Sequence, residues 1–241
     1  MTPGAADSQS VRLSKRVAAL VPCSRSEAER YIEGGWVRVD GQVVEVPQAR
    51  VAPTQSVTLA PEASLLALMP VTVLANVDVG GAPASIPVAG RWSEDSSGLR
   101  VTATQLRQAK ALLPLPAGAQ GLAVYSQDPR IVRKLTEDAL AIEQEWVVRV
   151  QGQIAEDGLA RMERLVSPRT ALPGRPPLKA SWQSEARLRL AFKGIDPAQI
   201  PWLCGQVGLV AMQGRRIRLG RLPLAGLPAG QWRALMPHEK F

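Results

Sequence analysis

The sequence holds a single histidine, His238, and only two cysteines, Cys23 and Cys204. So few ligands exclude a Cys/His metal cluster and a disulfide framework, and no metal or cofactor is expected. The expected compartment is therefore reducing and cytoplasmic. Aromatic residues make up 4% of the chain. Long apolar runs are also missing: the most apolar stretch, 65–75, is interrupted by Pro70 and is too short to span a bilayer, so no membrane partner is expected. The N-terminus lacks a basic region followed by an apolar run, which argues against a secretory leader. No internal repeat, glycine-rich phosphate loop or heptad run is present.

What the chain does have is positive charge, with a formal net charge of +8. It is unevenly spread. Residues 1–60 carry an excess of +1, residues 61–160 of −3 and residues 161–241 of +10. A polyanionic partner is implied, and the C-terminal third is expected to dominate the long-range attraction. Hydrophobic residues at 46% and charged residues at 21% fit a folded chain with a substantial core.

Residues 1–11 read as a disordered tail. From Arg12 to residue 60 the pattern is compact. Leu13, Val17, Ala18 and Leu20 share one helical face, and Val21-Pro22 stops that helix. Ser24 followed by Glu27 is a capping-box signature for a second helix, with Gly34-Gly35 as its stop. The hairpin signal comes next, Trp36 to Val39, a turn at Asp40-Gly41, then Gln42 to Val44. Residues 61–70 begin and end in proline and read as a linker. Beyond it, β-type runs at 71–74, 121–125, 146–150, 187–192 and 216–219 alternate with helical stretches at 104–112, 129–135 and 157–164. This predicts an α+β chain with a mainly antiparallel mixed sheet flanked by helices.

Arg12-Leu13-Ser14-Lys15, the run Cys23 to Ile32, Gly35 to Gly41 and Val57-Thr58-Leu59 together resemble the S4 RNA-binding domain, here expected over residues 12–60. Helix N-termini with Arg12, Lys15, Arg25, Arg30 and Arg38 nearby offer N–H groups and cations to phosphates. On charge alone, a solvated face of Lys15, Arg25 and Arg30 partly paired with Glu27, Glu29 and Glu33 is the better reading.

Residues 71–241 resemble the bacterial ribosomal RNA pseudouridine synthases, on Gly121 to Asp128, Glu145 to Val150, Gln199-Ile200, Cys204 to Leu209, Arg216 to Gly220 and Leu227 to Arg233. The resemblance implies isomerisation of a uridine flipped out of folded RNA. In that family an aspartate in a Gly-Arg-Leu-Asp motif acts on the sugar, a tyrosine stacks on the base, and basic residues hold the phosphates. Gly121-Leu122 sets the register here and places the motif on Leu113-Pro114-Leu115-Pro116, so the aspartate position is Pro116. The tyrosine position is Trp146, which keeps a stacking surface but no hydroxyl. The Asn-Lys-Pro-x-Gly motif falls on Asn76 to Gly80 without its lysine, and an arginine-rich run falls on Pro197 to Trp202 without its arginines.

A rival placement puts the motif on Gly90 to Leu99, with Ser93 at the catalytic position and Asp95 two residues late, about 6.6 Å along an extended chain. A polar turn explains that stretch as well. Cys204 reads as a buried structural thiol and His238 as an exposed side chain near the chain end. Arg215, Arg216, Arg218 and Arg221 form a basic cluster, and strand alternation predicts Arg216 and Arg218 on one open, phosphate-tracking face. On this reading the chain is a monomer that binds structured ribosomal RNA without isomerase activity. Two alternatives stand beside it: an active synthase using Asp95 or Asp78, and a protein-interaction module that has left RNA.

Overall fold

The computed structural model describes residues 10–66, 68–78, 86–166 and 178–241. The chain forms two units, Met1–Met69 with Arg100–Arg107, and Pro70–Leu99 with Gln108–Phe241.

The first unit is built from β1 (Val11–Arg12), α1 (Leu13–Leu20), α2 (Arg25–Glu33), β2 (Val37–Val39), β3 (Gln42–Val43), β4 (Arg50–Val51) and β5 (Val57–Leu59). The capping box forms as the sequence predicts: Ser24 Oγ accepts from Glu27 N at 3.2 Å, and the Glu27 carboxylate accepts from Ser24 N at 2.7 Å. At the hairpin tip Asp40 and Gly41 have φ of 50° and 82°, the pair of left-handed residues that matches the twist of the flanking strands. Leu13, Val17, Ala28, Ile32 and Val37 are wholly buried in one cluster. A large apolar side chain buried in this way contributes about 1.5–3 kcal/mol.

Val11, expected in a tail over residues 1–11, instead pairs with Val51; residues 1–9 lie outside the described residues. Residues 100–107, expected in the second domain, instead pack on the first unit. The Arg100 guanidinium lies 3.9 Å from the Trp36 ring centre and its Nε donates to Gly34 O at 3.2 Å. Thr104 N donates to the Glu45 carboxylate at 3.1 Å, and the Gln105 side chain donates to Met69 O at 2.9 Å.

The second unit begins with β6 (Thr72–Val77). After α3 (Ala103–Gln108) come β7 (Lys110–Leu112), β8 (Gln120–Ser126), α4 (Pro129–Glu137) and β9 (Gln144–Gly152). Then follow α5 (Gly158–Leu165), β10 (Leu178–Ser184), β11 (Arg187–Phe192), α6 (Ile200–Gly205), β12 (Leu209–Leu219), β13 (Leu222–Pro223) and β14 (Trp232–Ala234). One sheet runs β10-β11-β9-β12-β8-β6-β14, with β7 on β8 and β13 on β12. Its pairings are antiparallel except β12 with β8. The helix expected over 104–112 stops at Gln108, because Lys110, Ala111 and Leu112 pair with Ser126, Tyr125 and Val124 and that pairing overrides the local periodicity.

The core divides between the two halves of the sheet. Trp146, Val148, Leu188, Leu190 and Phe192 pack with Met162, Leu203 and Cys204 of α5 and α6. Leu74, Leu122, Val124 and Leu219 pack with Leu135 of α4 and the loop residues Leu224 and Leu227. Cys204 is fully buried, and desolvation pushes its thiol up to about 11, as suits a structural rather than a reactive cysteine. Among the described residues no helix is long and apolar enough to cross a membrane.

Candidate nucleic-acid interface

In the first unit, β1 delivers Arg12 and α1 delivers Lys15, while the start of α2 delivers Arg25 and β4 delivers Arg50. All four line one cleft of about 550 Å³ with Ser10, Val11, Ser14 and Ala18, and no carboxylate lines it. All four cations are exposed. Arg25 touches Glu29 at 3.1 Å, an exposed pair of little energetic consequence. Arg50 is braced by a bond from Nη1 to Ser10 O at 2.9 Å. Its membership was missed from sequence, because the strand that carries it into the cleft lies far along the chain and has no basic neighbours.

Arg30 and Arg38 do not line this cleft. Arg30 donates to the Leu65 carbonyl, and Arg38 Nη1 donates to Gly41 O at 2.8 Å. Nor do the helix N-termini offer the open N–H groups expected of them. At α2 the Glu27 carboxylate occupies the place a phosphate would take, and its bonds to Ser24 hold its pKa below the ordinary value. At α1 the first two amides donate to Ala49 O at 2.7 Å and Pro47 O at 3.1 Å. Anion binding by this cleft therefore falls to the side-chain cations.

In the second unit the segment Leu113–Pro116 leads into β8. Pro116 is half-buried, and its carbonyl accepts from Ala119 N at 3.0 Å in a turn that has Gly118 at φ 76°. Arg216 braces this segment from below. Its Nη1 donates to Leu113 O at 2.7 Å and to Gln144 Oε1 at 3.2 Å, and its Nε donates to Leu122 O at 2.7 Å. The guanidinium is fully buried, lies 5.8 Å from the Trp146 ring centre, and meets no carboxylate among the described residues; burial pushes its pKa down to about 9.

The expectation that Arg216 and Arg218 share an open phosphate-tracking face is thus corrected. A bulge at Ile217 sets Arg216 against Trp146 and Arg218 against Glu145, which are successive residues of β9 and point to opposite faces. A side chain with 0% exposure meets no phosphate. Arg218 is partly exposed but committed: its Nε donates to Glu145 at 2.8 Å and its Nη2 pairs with Glu143. Burial pushes the Glu145 carboxyl up, but bonds from Arg189 and Arg218 outweigh it and hold the pKa below the usual range. Arg215 donates to Asn76 Oδ1 at 2.9 Å, and Arg221 is exposed in the turn after β12.

Trp146 is also corrected as a surface stacking residue, for it is 1% exposed within the core and its indole donates to Gln144 at 3.3 Å. The rival carboxylate, Asp95, is fully engaged. It accepts from Arg91 Nε at 2.9 Å, from Ser97 N at 3.0 Å and from Ala234 N at 3.1 Å. Its role is to tie the 91–99 turn to β14. Asp78 differs: it is exposed at the end of β6 and accepts from Gln120 Nε2 at 3.2 Å, beside the loop that ends in Ala119.

Comparison with known proteins fits these features. The S4 domain family model matches residues 11–57. The dual-specificity RNA pseudouridine synthase RluF of Escherichia coli K12 is 25% identical over 246 residues, which cover 95% of this chain and 77% of that protein. The chain thus carries an S4 domain and is similar over most of its length to RNA pseudouridine synthases. The Shigella flexneri RluF is 24% identical over the same span. A crystal structure of a pseudouridylate synthase superposes with a TM-score of 0.53 at 16% identity, covering 94% of this chain and 96% of that one, which supports the fold alone. The segment from Leu113 to Ala119, which leads into β8, carries no carboxylate.

Proposed function

We propose that this chain binds structured ribosomal RNA through the basic cleft of its S4 domain and does not isomerise uridine. The observation that carries the reading is the convergence of Arg12, Lys15, Arg25 and Arg50 on one cleft with no carboxylate in its lining. Such a cluster neutralises phosphates and releases counterions, which gives affinity without base specificity. Loss of activity is argued from the other unit. Pro116 has no titratable group, Trp146 is sealed in the core, and Arg216 is tied to the Leu113 carbonyl. Among the described residues, the loop at Pro116 holds no acid to act on the sugar, and Trp146 presents no free stacking surface.

Replacing Arg12, Lys15 and Arg50 together by glutamine should weaken binding of an unmodified ribosomal RNA hairpin by about tenfold or more at physiological salt. It should also lower the slope of log affinity against log salt by about two to three units, close to one per lost phosphate contact. Fluorescence anisotropy over a salt series measures both. An unchanged affinity would remove the S4 cleft from the account.

One observation favours a second reading, in which the chain is an active synthase with a displaced acid. Asp78 is exposed and hydrogen-bonded to Gln120, four residues beyond Pro116. In that case pseudouridine forms and Asp78→Asn abolishes it. Asp95 has no comparable claim, since its oxygens hold Arg91, Ser97 and Ala234.

A further inference from the structure

Half of the large sheet is covered on one face only. In β11, Leu188, Leu190 and Phe192 enter the core beneath α5 and α6; in β9, Trp146, Val148 and Val150 do the same; in β10, Leu178 and Ala180 do so. Alternation then turns Lys179, Arg187, Arg189 and Arg149 to the opposite face, where all four are exposed. Strand β12 adds Arg215, paired with Val147, and Arg218, paired with Glu145. The carboxylates Glu143 and Glu145 are taken up by Arg189 and Arg218. Among the described residues, no carboxylate pairs with Lys179, Arg187, Arg149 or Arg215.

Arg187 stands directly opposite Arg149 in the antiparallel register, a like-charge pair that destabilises a sheet unless a counter-charge comes from outside. At one end of the row lies a cleft of about 580 Å³, in which Arg215, together with Arg189 and Arg218 on their shared partner Glu145, faces an apolar wall that includes Leu224 and Leu227. Asn76 holds the site in shape. Its amide nitrogen donates to Leu227 O at 2.7 Å while its oxygen accepts from Arg215 at 2.9 Å, which fixes one edge of the guanidinium and leaves its other donors for a ligand.

We propose that this face is a second RNA surface, distinct from the S4 cleft and on the side of the sheet opposite Trp146. Its exposed cations follow the phosphate backbone. The cleft at Asn76 seats one nucleotide, with phosphate on Arg215 and ribose or base against Leu224 and Leu227. The choice of RNA as the polyanion rests on the proposed function; the location of the surface rests on the register and the unpaired cations.

The test is a full-length variant carrying Lys179→Gln, Arg149→Gln and Arg187→Gln, titrated against an unmodified ribosomal RNA hairpin across a salt series, with Arg221→Gln as a control. The triple variant should bind about tenfold or more weakly at physiological salt, with a slope lower by about two to three units, while the control changes by no more than about one unit. Thermal melts check that the variant is folded. If it is not, ultraviolet cross-linking of the unaltered protein to the RNA reads the same surface and should recover peptides of β9 and β11. Unchanged binding by the folded variant, or cross-links confined to the S4 unit, would overturn this surface while leaving RNA binding by the S4 cleft intact. Failure of the unaltered protein to bind RNA would instead overturn the functional reading on which the choice of ligand rests.

Discussion

Asp95→Ala is expected to destabilise the second unit by about 1–3 kcal/mol, the cost of leaving buried donors without their acceptor beside a partly exposed guanidinium. The Asp95 carboxylate is 1% exposed and accepts from Arg91, Ser97 and the Ala234 amide. Its removal leaves an amide of β14 without its acceptor and takes one of several partners from Arg91, which keeps Ser97 and Leu99 O. The pH dependence has a definite sign. Burial pushes the Asp95 pKa up, but the bonds from Ser97, Ala234 and Arg91 outweigh it and leave the folded value below the ordinary 3.8. The stabilisation is therefore complete above the unfolded value and is lost as pH falls through the lower folded one. Denaturant unfolding at a series of pH values should give a constant gap between the two proteins above about pH 5 that narrows below about pH 4. A variant of full stability would mean that Asp95 is not a structural tie and would return it to the candidates for chemistry.

A larger loss is expected from Gly121→Ala. Gly121 has φ 97°, and a Cβ there would lie 2.2 Å from the Arg216 carbonyl oxygen and 2.9 Å from the Arg216 amide nitrogen. Both obstacles are backbone of the neighbouring strand β12, so no side chain can swing aside. With strain in the left-handed region added to the clash, the variant should lose more than about 4 kcal/mol or fail to accumulate as folded protein. Purification yield and circular dichroism report this directly, and a stable, native-like variant would refute the strand contact.

Much of the S4 unit was legible because its signals are local. Ser24 and Glu27 announce α2, and Asp40-Gly41 announces the hairpin, within a few residues of where they act. What failed was set by distant partners. The segment 104–112 has helical periodicity, yet its last residues pair with β8. Arg100 finds the Trp36 ring across a gap in sequence that no pattern marks. The same holds for the arginines of β12. Strict alternation puts Arg216 with Arg218, and one bulged residue sends the first into the core and leaves the second beside Glu145. The positive charge of the C-terminal third is carried in part by exposed cations of β10 and β11, while Arg216, which strict alternation placed on an open face, is buried.

The central claim is that the chain holds RNA without isomerising it, and one measurement tests it most directly. Unmodified ribosomal RNA is incubated with the protein under conditions where anisotropy shows it bound, and pseudouridine is then mapped by mass spectrometry. The account predicts none, and none either with Pro116→Asp, because a restored carboxylate would still face a buried Trp146 and a loop held by Arg216, and such groups act as a unit. Pseudouridine formed at a defined position by the unaltered protein would contradict the account, and its loss on Asp78→Asn would name the acid responsible.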